Sequence, residues 1–279
     1  MTFWKVAAGY SASSDSAASR GLLRQFGSWP TRSTRKPTQV GWRWRGRSIS
    51  LTLRVLTEWE TLTRIQLGRL SMARLGDGEA KLAREVSCKT QPHHGGIGKR
   101  IRRVMQATDP KVLVCIPRIW PKEPPLATPG FWPQHRAAFE KFCDPGKTYG
   151  SAFVSRRDAW EIPDEDRYWA EWKGIWAGRP ALLVTGSKKG LGTRKLLRSA
   201  KSVDVLETPR PDAWSAYPSI MADCLAWAGV KRDPIVIAAC GATATILAAE
   251  LGAQGIQTLD VGHMAQAFAR VSPKEFAEP

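Results

Sequence analysis

The chain has 279 residues, 43% of them hydrophobic and 24% charged, which suffices for one large α/β domain or two small ones and excludes a peptide-sized scaffold. Lys and Arg outnumber Asp and Glu by 42 to 25, a net charge of +17, and the excess is lopsided, with 20 basic and 6 acidic residues in positions 1–103. A field of that sign attracts phosphates, whether on a nucleotide, a nucleic acid or a lipid, or else is a solvated basic surface.

Residues 1–50 are rich in Ser, Arg, Gly and Trp without helical or strand periodicity, and read as a basic, loosely ordered N-terminal arm. Residues 51–279 read as the folded domain. Trp59, Leu62, Ile65, Leu67 and Leu70 predict a helix, followed by a short apolar strand over 71–75, a Gly-Asp-Gly-Glu turn, a helix from about Glu79, a basic helix over 97–107 and a strand over 112–116. Six prolines between Pro117 and Pro133 forbid regular structure there and predict a long surface loop. The alternation then resumes, with helices at 134–143, 164–177, 191–199, 214–228 and 243–252 and strands at 151–154, 181–185, 203–206, 235–239 and 256–261. Runs such as 181–184 and 235–238 are apolar without alternation, as strands buried on both faces of a parallel sheet are. The expected fold is α/β, a Rossmann-like doubly wound and mostly parallel sheet, with chemistry at the carboxyl ends of its strands.

No stretch approaches the ~18–20 apolar residues of a membrane span and no leader pattern opens the sequence, so a cytoplasmic protein is expected. Five dispersed cysteines without a CxxC pair argue against a disulfide framework or a structural zinc site.

Four strand ends carry candidate chemistry. In Arg74-Leu-Gly-Asp-Gly-Glu79, Asp77 and Glu79 are carboxylates two positions apart on a turn opened by Gly76 and Gly78, a pattern that suits a divalent cation bridging a diphosphate. An acidic first turn that merely complements the next helix dipole fits the same residues. The run 184–192 places Ser187, Lys188, Gly190 and Gly192 on a Gly-rich, phosphate-friendly turn. It looks like the dinucleotide turn of short-chain dehydrogenases, yet no Tyr has Lys four residues on, so the catalytic half is missing. A third strand opens through Gly241 into a helix bearing Thr243, a shape for anion binding or for plain helix capping. The last strand ends in Asp260 and His263. His93 and His94 lack carboxylate spacing and receive no metal.

In this order and spacing the segments resemble the GT-D-type glycosyltransferases. The match runs from Arg74-Leu-Gly-Asp-Gly-Glu79 through Ser151-Ala-Phe-Val-Ser-Arg156, the strand and turn at 182–197, Thr208-Pro-Arg-Pro-Asp-Ala-Trp214 and Cys240-Gly-Ala-Thr-Ala to Asp260-Val-Gly-His263. Asp212 stands where the family usually has Asn. The resemblance implies transfer of a sugar from a nucleoside diphosphate sugar donor, with Mn2+ or Mg2+ held by Asp77 and Glu79. Arg74, Arg156 and Lys188 would lie near the phosphates, and His263, or else Asp260 or Glu79, would serve as base. The acceptor could be modified DNA or a surface glycan, since Trp42 to Arg47 interleave aromatics and cations and Lys99, Arg100, Arg102 and Arg103 form a basic cluster. The rival reading is a noncatalytic nucleic-acid-binding module on a Rossmann-like scaffold.

Overall fold

The apolar runs assemble, in a computed structural model that describes residues 53–119, 131–156, 159–186 and 192–271, into one eight-stranded sheet in which every pairing is parallel. The strands are β1 (Arg54–Val55), β2 (Ser71–Arg74), β3 (Val112–Ile116), β4 (Thr148–Ser151), β5 (Pro180–Thr185), β6 (Ser202–Glu207), β7 (Ile235–Ala239) and β8 (Thr258–Asp260). Their spatial order is β1-β4-β3-β2-β8-β7-β5-β6. The first half of the domain therefore winds outward from β2 in one direction and the second half occupies the other side, and the halves meet where Met72 pairs with Leu259. The carboxyl ends of strands at such a reversal leave a crevice between the loops that depart to opposite sides.

Helices follow the strands as crossovers, as parallel pairing requires. They are α1 (Glu58–Gly68), α2 (Asp77–Ala83), α3 (Ile97–Gln106), α4 (Pro133–Phe142), α5 (Glu165–Trp176), α6 (Gly192–Leu196), α7 (Tyr217–Gly229), α8 (Ala242–Ala253) and α9 (Met264–Val271). Thr57 starts α1 with a capping box: its hydroxyl accepts from the Glu60 amide at 3.2 Å, and the Glu60 carboxylate accepts from the Thr57 amide at 2.8 Å. The Ala-rich α8 is buried along its length and lies against β2 and β8 at the centre of the sheet. The helix α5 supplies Trp172 and Trp176, both fully buried, to an aromatic cluster that includes Trp160 and Tyr168.

The expected alternation is present with local differences. The strand expected at 151–154 ends at Ser151, where its hydroxyl accepts from the Phe153 amide at 3.2 Å and caps a 3₁₀ turn over Ala152–Ser155. The helix expected at 191–199 is α6 followed by a 3₁₀ turn, Leu197–Ser199, and β1 and α9 are additional elements. The N-terminal arm, most of the Pro-rich loop, and Ser187, Lys188 and Gly190 lie outside the described residues.

Candidate active site

A pocket of about 190 Å³ opens at the carboxyl ends of the central strands. Arg74 enters it as the last residue of β2 and the turn Gly76–Glu79 just after it, Phe153 and Arg156 after β4, Arg210 after β6, Gly241 after β7, Asp260 as the last residue of β8 and His263 just after it. The four sequence segments that looked chemical thus reach one crevice, apart from the Gly-rich turn, of which Gly186 and Thr193 at its two ends line the pocket.

Arg74 is the central cation. Its Nη2 lies 4.0 Å from Asp260 Oδ1, and its Nε is buried without a hydrogen-bond partner among the described residues. Its position depends on Gly262, which has φ +50° and whose absent Cβ would fall 1.8 Å from Arg74 Nη2. Asp260 is held on both oxygens: Oδ2 accepts from the Thr245 hydroxyl at 3.0 Å, and Oδ1 from the Gly262 amide at 3.2 Å. Burial raises its carboxyl to about 6, against the opposing pull of Arg74 and these hydrogen bonds. Glu79 rises further, to about 7, because it is enclosed and because the Asp260 charge faces it; Arg74 and the backbone amides oppose the shift. Glu79 keeps a partly exposed surface, so the enclosure is that of a pocket wall rather than of solid core.

Asp77 and Glu79 both line the pocket, but they are differently occupied. Glu79 Oε2 accepts from the Gly76 amide at 2.6 Å, and Asp77 Oδ2 sits 3.6 Å from Lys81 Nζ. The alternative of an acidic helix start is therefore physically present alongside any cation role. No three His, Cys, Asp or Glu side chains converge as a metal cluster among the described residues.

Gly241, with φ +69°, turns the chain into α8 and lets Thr90 approach, since a Cβ there would meet Thr90 Oγ1 at 3.3 Å. Thr243 is fully buried, and its hydroxyl donates to Gln91 Oε1 at 3.4 Å rather than pointing into the pocket. His263 is exposed at the rim. Gly78 and Gly192 sit in the first turns of α2 and α6, and Gly78 lines the pocket.

Sequence reasoning missed Arg210, Thr193, Gly262 and Trp132, all of which line the pocket. Thr193, 2% exposed, has a hydroxyl without a partner among the described residues, and a signal for it existed in its place just after Gly192. His94, which carried no assignment, lies 2.7 Å from Asp212 Oδ2. In the basic cluster, Arg100 pairs with Glu250 and Arg102 with Glu85 and the Ala83 carbonyl, so Lys99 and Arg103 are the members turned to solvent.

A doubly wound parallel sheet with a cation, two enclosed carboxylates and a glycine-opened helix entry at its switch point defines an α/β protein of the Rossmann-like class with its candidate site where such folds place theirs. The chain belongs to the GT-D-fold glycosyltransferase family, whose model matches residues 72–271. It is 29% identical over 218 residues to glycosyltransferase GlyD of Streptococcus pneumoniae, 74% of this chain, and spans 26% of that protein's length. The protein named probable glycosyl transferase Gly of Streptococcus gordonii is 25% identical over 205 residues, 70% of this chain and 29% of its own. Among solved structures, one of domain of unknown function 1792, described as a distinct glycosyltransferase fold, superposes with a TM-score of 0.70 at 27% identity, covering 79% of this chain and 82% of its own. A glycosyltransferase from Streptococcus sanguinis shares the fold at 23% identity with a TM-score of 0.68, covering 79% and 86%.

Proposed function

We propose that the pocket binds a nucleoside diphosphate sugar together with a divalent cation and transfers the sugar to an acceptor nucleophile. The observation that carries this reading is a pair of buried donors without partners among the described residues, Arg74 Nε and the Thr193 hydroxyl, on two residues lining a pocket that also receives the start of α8. An unpaired buried donor costs about 1–3 kcal/mol, so such groups call for a ligand rich in acceptor oxygens, and a diphosphate supplies them. At about 190 Å³ the pocket is smaller than the ~300–1,000 Å³ of a whole small-molecule site, a size that suits the diphosphate and the reacting sugar carbon. Membership of the family and the likeness to streptococcal proteins named as glycosyltransferases support the same chemistry.

In the transfer, the bond from the anomeric carbon to the β-phosphate oxygen breaks as the acceptor oxygen attacks that carbon, and negative charge develops on the departing diphosphate. Arg74, held by Asp260 and seated against Gly262, is pre-organised to stabilise that charge. Arg156 and Arg210 line the same pocket. Asp260 is buried with both oxygens engaged, and we assign it to positioning Arg74. His263, on the exposed rim, takes the acceptor proton.

The donor set fits Mg2+ or Mn2+, which bind through one or two carboxylates and complete their shell with substrate phosphates and water. Asp77 and Glu79 offer two hard oxygen ligands at the pocket; enclosure and the facing Asp260 raise Glu79 to about 7, and a cation bound there would favour its charged form against that shift. When bound, the ion supplies positive charge to the leaving diphosphate. A noncatalytic nucleic-acid module is the weaker reading, because it gives these enclosed carboxylates and unpaired donors no role. Calorimetry with UDP tests the assignment: affinity should fall at least about tenfold when Mn2+ is chelated, and Asp77→Ala should lose the metal dependence. Equal affinity with and without metal contradicts it.

A further inference from the structure

The segment between α2 and α3 and the segment between β6 and α7 are separated by more than a hundred residues, yet they are stitched together on one side chain. Gln91 is 1% exposed. Its Nε2 donates to Asp212 Oδ1 and to the Pro92 carbonyl at 3.1 Å, and its Oε1 accepts from the Trp214 amide at 3.3 Å and from the Thr243 hydroxyl at 3.4 Å. All the capacity of a buried amide is therefore spent, two donor bonds and two acceptor bonds, and it is spent on three different elements. Three further contacts close the same seam: the Asp212 amide donates to the Thr90 carbonyl at 3.3 Å, the Trp214 indole donates to the Gly95 carbonyl at 3.3 Å, and His94 Nε2 lies 2.7 Å from Asp212 Oδ2. Burial pushes the Asp212 carboxyl up, but its hydrogen bonds with Gln91 and His94 outweigh that and hold it below its usual value.

What this seam holds is one wall of the pocket. Thr90 lies next to Gln91 and touches Gly241 at the entrance of α8; Thr243 is in the first turn of α8; Arg210 and Ala213 flank Asp212. We infer that Gln91 is a positioning residue for the proposed transfer: it fixes the Thr90–Gly241 approach and the 208–214 loop relative to each other, and so sets the geometry in which Arg210 and the start of α8 meet the diphosphate. Gln91 itself does not line the pocket. This inference rests on reading the pocket as the donor site. Its physical basis is that a misplacement of about 1 Å caused from outside the chemistry can cost about a hundredfold.

The test compares the full chain with Gln91→Leu and with the exchanged pair Gln91→Glu, Asp212→Asn, using UDP with Mn2+ for binding, a nucleotide sugar for turnover, and amide hydrogen exchange. Leucine keeps the volume and removes every bond. In the exchanged pair the new asparagine amide donates to the new glutamate, its oxygen still accepts from His94, and the second glutamate oxygen still accepts from Trp214 and Thr243; the bond to the Pro92 carbonyl is lost both in this pair and in Gln91→Glu alone, so the two are compared with each other. Gln91→Leu should weaken UDP binding and raise the donor KM about ten- to a hundredfold with kcat changed less than about threefold, and should speed exchange at the Asp212 and Trp214 amides. The exchanged pair should bind about tenfold or more tighter than Gln91→Glu alone, which faces Asp212 with a second carboxylate. Parent-like UDP affinity in folded Gln91→Leu overturns the inference and leaves the donor reading standing. An exchanged pair as weak as Gln91→Glu alone also overturns it, and this arm decides if Gln91→Leu does not fold. If the parent protein binds neither UDP nor inorganic pyrophosphate, the donor reading fails and the inference falls with it.

Discussion

At the scale of single residues, the site is built from pairs in which one member makes the other possible. Gly262 leaves the space that Arg74 Nη2 fills, and Asp260 keeps both oxygens occupied beside that guanidinium. The enclosed carboxylates have a measurable cost. Glu79 titrates near 7 instead of 4.5, so between those values the folded chain holds a proton that the unfolded chain has lost. Folding then binds protons, and stability contributed by Glu79 falls as pH rises from about 4.5 through about 7. Glu79→Gln keeps an oxygen for the Gly76 amide and removes the titration. In the presence of a chelator, the fall in Tm between pH 5 and pH 8 should therefore be smaller in Glu79→Gln than in the parent, and parallel Tm curves would contradict the assignment. The residues of the Arg74–Glu79 turn were legible because they are contiguous and glycine-flanked. Gln91, Asp212 and His94 were not, since their meaning is a contact across 118 to 121 positions that no local spacing encodes.

Among the elements, α8 shows how the sequence sets the central packing. Its small residues let it lie close to the sheet, and closest at Gly252, where an added Cβ would stand 2.6 Å from Ser71 Cβ and 2.8 Å from Val112 Cγ2. Alanine is the better helix former by about 1 kcal/mol, but this overlap falls on two strand residues that cannot swing away, and overpacking of that kind costs about 1–3 kcal/mol. Gly252→Ala should lower the Tm by several degrees in a thermal melt; an unchanged or raised Tm would show that α8 can lift off β2 and β3 at little cost. Buried strands such as Ala181 to Val184 and Ile235 to Ala238 declared themselves as unbroken apolar runs. Residues 152–154 are apolar as well and nonetheless lie in a 3₁₀ turn, because the Ser151 hydroxyl captures the Phe153 amide and that competition is invisible to hydrophobic patterning. The two-residue β1 is too short to carry a period at all.

For the whole molecule, strand order is the link between chain and chemistry. Because β2 and β8 are neighbours at the centre of the sheet, the turn after Arg74 and the turn after Asp260 face each other although 186 positions separate the two residues' surrounding segments only in sequence, not in space. The parallel, doubly wound class followed from the alternation of elements, whereas the order of the strands, and with it the partnership of Glu79, Arg74 and Asp260, depends on which edges pair. The central claim is that this crevice activates a nucleotide sugar. It is tested most directly by measuring nucleoside diphosphate release from a panel of nucleotide sugars in Mn2+, for the parent protein beside Gly262→Ala, whose new methyl group displaces Arg74 without altering any charge. The account predicts slow release by the parent with at least one donor even without acceptor, since a donor so activated is exposed to water, and a loss of about tenfold or more in Gly262→Ala. Absence of release across the panel, or equal release by a folded Gly262→Ala protein, would contradict it.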